Sequence, residues 1–354
     1  SLDQIGIALA VTELAGLLSP VTARGIDRLP RRTAMACALV GVAAGTGLAA
    51  ASSGVIVFAI ALVLLSQSKV AFDLALGSWI ADHVPYERRS RVVGITETSW
   101  ALGLLVGVSV AGVITGLTNW RVGYATAGGA VALMALVVWR RLPRDPVSHS
   151  PEPPMVTGRD RVRFGARERL VVVAAFGLMS SSQSLFVTFG SWLEDAFSFR
   201  PAAISAVVFG LGLGELAASI TAAHRTDRWG KLRSTMGGAG LLVPAGIGLA
   251  VLHDHLVPGL IALAIGICGF EFAIVSLIAV GSTLVPGSPA RGLALMLTGG
   301  TLGRAIASVP ATRLYDRHGM AWPALQSAGL AMITVVALGL AERVGAEHRP
   351  TLRG

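Results

Sequence analysis

Charge is what this sequence has least of. Only 14% of its 354 residues are Asp, Glu, Lys or Arg, against about 25% in an ordinary soluble domain. Lysine occurs twice, at Lys69 and Lys231, and aromatic residues make up 6%. Cysteine also occurs twice. Cys37 and Cys268 both lie in apolar stretches, which excludes a disulfide framework or a cysteine metal site and leaves them as small packing residues. No nucleotide-binding loop, metal-ligand spacing or nucleophile–base set is present. The Gly210–Gly214 stretch has loop-like glycines but lies in the middle of an apolar run. These absences exclude a soluble enzyme and call for no cofactor.

Long apolar runs are what remain. A helix crossing the hydrocarbon core needs ~20 largely uncharged residues, and only helices satisfy their own backbone within one such segment. Eleven runs qualify: Ile5–Val21, Thr33–Ala51, Val55–Ala81, Val92–Leu117, Val122–Trp139, Leu170–Phe189, Ile204–Ala223, Ser234–Leu252, Gly259–Leu284, Leu293–Leu314 and Trp322–Leu340. The polar stretch 140–169, rich in Arg, Pro and Ser, separates a bundle of five helices (1–139) from one of six (170–341). A cytoplasmic tail covers 342–354. The net charge of +9 is not a nucleic-acid footprint, because alternate loops carry 23 basic residues on one side and four on the other. Such a skew places the basic face in the cytoplasm and the chain in the cytoplasmic membrane.

The chain repeats itself. The loop Arg24-Gly-Ile-Asp27-Arg28-Leu-Pro30-Arg31-Arg32 is answered 200 residues later by the Asp227-Arg228-Trp-Gly230-Lys231 segment. Val84-Pro85 and Arg91 are answered by Val285-Pro286 and Arg291 at nearly the same offset. Two halves of like topology follow one another. Helix Leu170–Phe189 has no counterpart in the first half, so the offset predicts one further membrane helix, within about thirty residues, ahead of Ser1.

The paired Asp-Arg loops resemble the signature G-x-x-x-D-R-x-G-R-[KR] of the major facilitator superfamily. Ala23 and Ala223 stand at its first Gly and Pro30 at its internal Gly. The resemblance implies an all-α membrane protein of two pseudo-symmetric six-helix bundles, with eleven of twelve spans present. It implies a central site open alternately to either side and lined by helices one, four, seven and ten. Val84-Pro-Tyr-Glu-Arg-Arg and Trp192-Leu-Glu-Asp-Ala-Phe are similar to stretches of bacterial sugar efflux permeases. The glycine pattern of an antiporter fifth helix is partly present in Gly103, Gly107, Gly112 and Gly116, without the proline that completes it. Together these point to a monomeric secondary transporter moving small organic solutes outward against protons. The alternatives are a proton-coupled uptake symporter, or a membrane sensor or partner subunit that transports nothing.

Seven charged residues fall inside spans, where each costs ~2.5–3.5 kcal/mol by insertion scales and is a functional hypothesis by default. Glu13 and Arg304 lie at similar depth on helices that the family places side by side, and are read as an ion pair at the bundle interface. Lys69 and Asp73 lie four apart on one helix face, either neutralising each other or touching solute. Glu271, between Phe270 and Phe272, has no such local partner; it is read as a carrier of the coupling proton or as a structural acid bonded to a neighbouring helix. Glu97 and Glu215 are acids of the fifth and eighth helices at the bundle interface. By resemblance, Asp27 with Arg28, Arg31 and Arg32, and Asp227 with Arg228, form the cytoplasmic gating motif. Arg88, Arg89 and Arg91 are the loop partners of Asp27.

Overall fold

The computed structural model describes residues 21–22, 25–26, 29–85, 88–142, 165–285 and 289–347. They fold as α1 (Arg31–Ala51), α2 (Val55–His83), α3 (Arg89–Leu102), a π-helical turn (Gly103–Gly107), α4 (Val108–Leu117), α5 (Trp120–Arg141), α6 (Ala166–Phe186), α7 (Phe189–Phe197), α8 (Pro201–Trp229), α9 (Lys231–Leu252), α10 (Leu256–Gly281), α11 (Pro289–His318) and α12 (Ala321–Glu347). No strand occurs among the described residues. Nine helical spans there are long and apolar enough to cross a membrane. The α3–π–α4 segment supplies a tenth element at the expected fifth helix. The expected span 5–21 lies, apart from Val21, outside the described residues.

Helices start and stop where local chemistry dictates. Asn119 caps α5, its side chain accepting from the Arg121 and Val122 amides at 3.0 and 3.1 Å. Pro201 opens α8, where a missing amide hydrogen costs nothing. Several helices run a turn or more past the apolar runs read from sequence, as α11 does to Pro289 and His318, because polar residues can continue a helix into the headgroup region. The repeat is visible in the helix starts. Those of α1 and α9, α2 and α10, α3 and α11, and α5 and α12 lie 200 or 201 residues apart. The halves differ at one turn. Gly230, with φ +90°, is the single residue joining α8 to α9; its counterpart Pro30 has φ −54°, since its ring cannot take the positive value.

The described helices form two compact units. The first contains α1, α2, α4, α5 and the start of α11 up to Thr298; the second contains α3, α6 to α10, the rest of α11 and α12. Relative to the sequence halves, α3 and the first turns of α11 change sides.

In the first unit α1 packs on α2 and α5. Gly45 allows the approach to α2, since a Cβ there would stand 2.9 Å from the Leu65 amide nitrogen. At the N-terminal end of α1 Arg31 Nε pairs with Asp82 at 3.0 Å. Arg32 donates to the Leu142 carbonyl at 3.3 Å and lies 4.5 Å from the Trp139 ring centroid.

In the second unit α9 packs on α10 and α12, and α6 packs on α12. These contacts are made by small residues and hydroxyls, as membrane helices require in the absence of a hydrophobic driving force between them. Ser181 donates to the Ser327 carbonyl at 2.8 Å and Thr334 to the Ala174 carbonyl at 3.2 Å. Short α7 was not foreseen. Its Trp192 is buried in a cluster with Leu193, Leu249 and Leu263, and its Nε1 donates to the His253 carbonyl at 2.9 Å. At the opposite end Lys231 pairs with Asp227 (3.7 Å) and Arg233 with Glu342 (2.9 Å).

Candidate functional site

Two groups of charged or acidic side chains stand at mid-span, one in each unit. In the first unit Lys69 occupies the midpoint of the 29-residue α2, with Asp73 one turn on. A four-residue spacing puts both on one face. Lys69 Nζ donates to both Asp73 carboxylate oxygens at 2.6 Å. The two side chains nevertheless remain 45% and 42% exposed. The pair is internally compensated but not covered.

In the second unit the acids are covered, and neither has a salt bridge among the described residues. Glu215 stands at the midpoint of the 29-residue α8, and Glu271 lies in the middle of α10. They are 2% and 3% exposed. Helices α8 and α10 pack together, and Gly214 makes room for the neighbouring Cys268, whose Sγ would be 2.9 Å from a Cβ there. The two carboxyls lie within electrostatic reach of one another. Ser219, one turn beyond Glu215, donates a hydrogen bond to Glu271 Oε1. Glu215 Oε2 is buried without a hydrogen-bond partner among the described residues. Two turns beyond Ser219 along α8, the Thr226 hydroxyl lies 2.8 Å from that of Ser276 on α10, continuing a polar seam between the helices.

Helix α3 packs on the same two helices. Gly94 meets Ala223 of α8 so closely that a Cβ could not be accommodated. Two packed helices, α8 and α10, thus bring one buried acid each to one layer. An ionised carboxyl in such a layer, without a compensating cation, carries a desolvation penalty of several kcal/mol.

Sequence reasoning singled out Glu215 and Glu271 separately and missed their proximity. It also missed Ser219. The available signal was Ser219's position four residues after Glu215, which places it on the same helix face. Of the remaining predicted residues, Arg31, Arg32, Asp227 and Arg228 lie at the helix ends flanking the repeated loops, and Arg88 and Arg91 lie at the start of the α3 segment. Arg89 opens α3. Arg304 lies in the middle of α11. Glu13, Asp27 and Arg28 lie outside the described residues, so the Glu13–Arg304 pair and the contacts of Asp27 lie outside them too.

Ser219→Ala offers a direct check of the acid layer. It leaves Glu271 Oε1 without its donor, and an unsatisfied buried acceptor costs about 1–3 kcal/mol. The expected outcome is a lower thermal midpoint of the detergent-solubilised protein, with Ser219→Thr close to the parent. An unchanged midpoint in Ser219→Ala would mean that the bond does not form.

The comparisons agree with this architecture. A sequence model described as "Major Facilitator Superfamily" matches residues 1–308. The MFS-type transporter YwfA of Bacillus subtilis (strain 168) is 26% identical over 221 residues, 61% of this chain and 53% of that protein; the match spans about half the length of that relative. A "Probable sugar efflux transporter" of Helicobacter pylori (strain HPAG1) is 24% identical over 90 residues, 24% of this chain and 23% of its own. Among solved structures, the human organic anion transporter MFSD10 (TETRAN) superposes with a TM-score of 0.77 at 20% identity, covering 94% of this chain and 82% of its own. The E. coli fucose:proton symporter FucP gives 0.76 at 13% identity, covering 96% and 90%. At such identities the structures speak for the fold alone, whereas the sequence model covers most of the chain: it belongs to the Major Facilitator Superfamily.

Proposed function

We propose that the protein is a proton-coupled secondary transporter that exports small organic solutes by alternating access across the bacterial cytoplasmic membrane. The observation that carries this reading is the Lys69–Asp73 pair, nearly half exposed at the midpoint of α2. A charge facing lipid at that depth costs ~2.5–3.5 kcal/mol by insertion scales. The economical explanation is that this face of α2 meets water or a polar solute, as the cavity-lining fourth helix of the family does. Glu271, assisted by Glu215, is the proton carrier in this reading. Buried carboxyls without a salt bridge are suited to gaining and losing a proton as their surroundings change between conformations. Asp27 and Arg28, with Arg31, Arg32, Asp227, Arg228 and the Arg88, Arg89 and Arg91 loop, form the cytoplasmic gate. Glu13 and Arg304 form a tie between bundles, and the working unit is a monomer.

Export is favoured over import by the glycine-rich fifth helix, whose π turn at Gly103–Gly107 supplies irregularity where the family's antiporters have proline, and by the name of the Helicobacter pylori relative. The fucose:proton symporter among the fold neighbours supports the opposite direction. Flux in proteoliposomes of known orientation, under an imposed proton gradient and with a panel of sugars, polyols, organic cations and organic anions, decides between them. Solute and protons moving in opposite directions is the expected result. Movement in the same direction would establish an uptake symporter, and proton-independent behaviour across the panel would overturn the proposal.

A further inference from the structure

We propose that a groove between α1 and α5, in the first unit, holds one anionic phospholipid, its acyl chain lying along the two helices and its phosphate at Arg121. The groove has a volume of about 600 Å³, and its lining is apolar except for Arg121. Ligand sites commonly span ~300–1,000 Å³. The internal repeat shows that the hollow is particular to the first half. Gly47, Ala51, Val122, Ala125 and Ala132 line it, and 200 residues later the same positions carry Ile247, Val251, Trp322, Leu325 and Met332. Those five large side chains are all exposed, so the second repeat fills a surface that the first leaves empty. Helix packing does not require the small residues. A Cβ on Gly47 or Gly129 would meet nothing within 4 Å, whereas one on Gly45 or Gly128 would run into Leu65 or Thr46. Glycine at 45 and 128 serves the helix contacts; at 47 and 129 it leaves space.

Length and charge identify the occupant. From Arg121 to Ala132 the groove follows α5 for roughly 16 Å at ~1.5 Å per residue, about half of the ~30 Å hydrocarbon core. An acyl chain of one leaflet has that reach, whereas a membrane helix from a second copy would need a seat across the whole span. Arg121 stands at the end of the groove, next to the first residue of α5. Its Nη2 donates to the Ser52 carbonyl at 2.7 Å, and its guanidinium lies 4.4 Å from the Trp120 ring centroid. Both partners are neutral, so no carboxylate among the described residues compensates the charge. A guanidinium with donors to spare recognises a phosphodiester, which it can bond through two N–H groups at once. Trp120 packs edge-on against Phe58 and Tyr124, with ring centroids 6.0 and 6.2 Å away. Aromatic groups of this kind mark the level of lipid headgroups. In the second repeat Ala321 takes the position of Arg121, so the hollow and the cation are absent together. That joint absence distinguishes a built site from a gap between helices.

The test is native mass spectrometry of the purified full chain, equilibrated in detergent with palmitoyl-oleoyl phosphatidylglycerol or palmitoyl-oleoyl phosphatidylcholine. The parent is expected to retain one phosphatidylglycerol, with about fivefold preference over phosphatidylcholine, the usual worth of one basic residue beside an anionic lipid. Ala125→Leu/Ala132→Met gives the first repeat the side chains of the second. It is expected to weaken phosphatidylglycerol binding at least about tenfold, equivalent to withdrawing two CH₂ groups from contact. Arg121→Gln, which leaves the groove open, is expected to abolish the preference between the two lipids. Thermal midpoints separate lost binding from lost folding, and should the filled variant fail to fold, Arg121→Gln carries the test alone. The reciprocal variant Leu325→Ala/Met332→Ala opens a hollow with no cation at its end and is expected to retain no additional phosphatidylglycerol. Equal retention by the parent and the filled variant overturns the site. Retention without headgroup preference, unchanged in Arg121→Gln, overturns the anionic class. A dimeric parent with a monomeric filled variant would make the groove a contact between copies and overturn the lipid as its occupant.

Discussion

Glu271→Gln is expected to abolish proton-driven accumulation of solute while leaving solute binding within a few-fold of the parent. Glutamine keeps the shape of the side chain, and its carbonyl oxygen still accepts from Ser219, so the α8–α10 packing has no reason to change. What it loses is the ability to bind and release a proton. A transporter whose coupling proton travels on this residue would equilibrate solute across the membrane but not concentrate it, and the accumulation ratio in energised proteoliposomes would fall to about one. Facilitated exchange of labelled against unlabelled solute, which needs no net proton movement, is expected to survive. Glu215→Gln separates two versions of the idea. If the acids share one exchangeable proton, both substitutions uncouple; if Glu215 only sets the environment of Glu271, its substitution changes the pH profile and spares accumulation. Should Glu271→Gln still concentrate solute, the coupling role would pass to Asp73 or Glu13, and Glu271 would be a structural acid.

The second large effect concerns folding. At the α9–α10 contact a Cβ on Gly238 would stand 2.6 Å from the Gly269 carbonyl oxygen and 2.8 Å from the Ala273 amide nitrogen. One on Gly269 would stand 2.8 Å from the Gly238 carbonyl oxygen. Backbone meets backbone there, so no flexible side chain can move aside. Gly238→Leu would force the two helices apart and is expected to cost about 3 kcal/mol, the upper end of the usual range for overpacking. That is a large fraction of a typical folding free energy. Little monodisperse protein should be recovered after detergent extraction. At the neighbouring Gly237 a Cβ would meet nothing within 4 Å, so Gly237→Leu makes the same chemical change on an exposed face of the helix. It should behave as the parent does, and equal damage from both substitutions would locate the sensitivity elsewhere than the helix contact.

Much of this architecture is legible in the sequence because the bilayer imposes a length. A run such as Val55–Ala81 has few other ways of satisfying its backbone, and the offset between Asp27-Arg28 and Asp227-Arg228 discloses the repeat without knowledge of packing. Charged residues inside spans are equally plain: Lys69, Asp73, Glu215 and Glu271 stand out because almost nothing else there is charged. Their environments are not legible. That Glu271 bonds to Ser219 depends on the rotation of α10 against α8, which a helix apolar all round does not encode. For the same reason sequence spacing gives the Lys69–Asp73 bond but not its exposure. The π turn at Gly103–Gly107 and the short α7 also escape, since composition alone does not distinguish an irregular turn from a continuous helix. At Gly230, by contrast, the residue type does announce the backbone: φ +90° is open to glycine and closed to the proline of the first half.

The two repeats tie equivalent helix ends, α1 to α5 and α9 to α12, by different chemistry. In the first, Arg32 reaches the end of α5 through a carbonyl and the face of Trp139. In the second, one position further along, Arg233 reaches the corresponding part of α12 through the carboxylate of Glu342, and its own side chain is 72% exposed. Mobile ions weaken an exposed ion pair, because the Debye length is only about 8 Å at physiological ionic strength. They have far less purchase on a stacked guanidinium bonded to a neutral carbonyl. Rising salt therefore weakens the α9–α12 tie and leaves the α1–α5 tie largely intact, so two equivalent helix contacts of a pseudo-symmetric chain differ in their response to ionic strength.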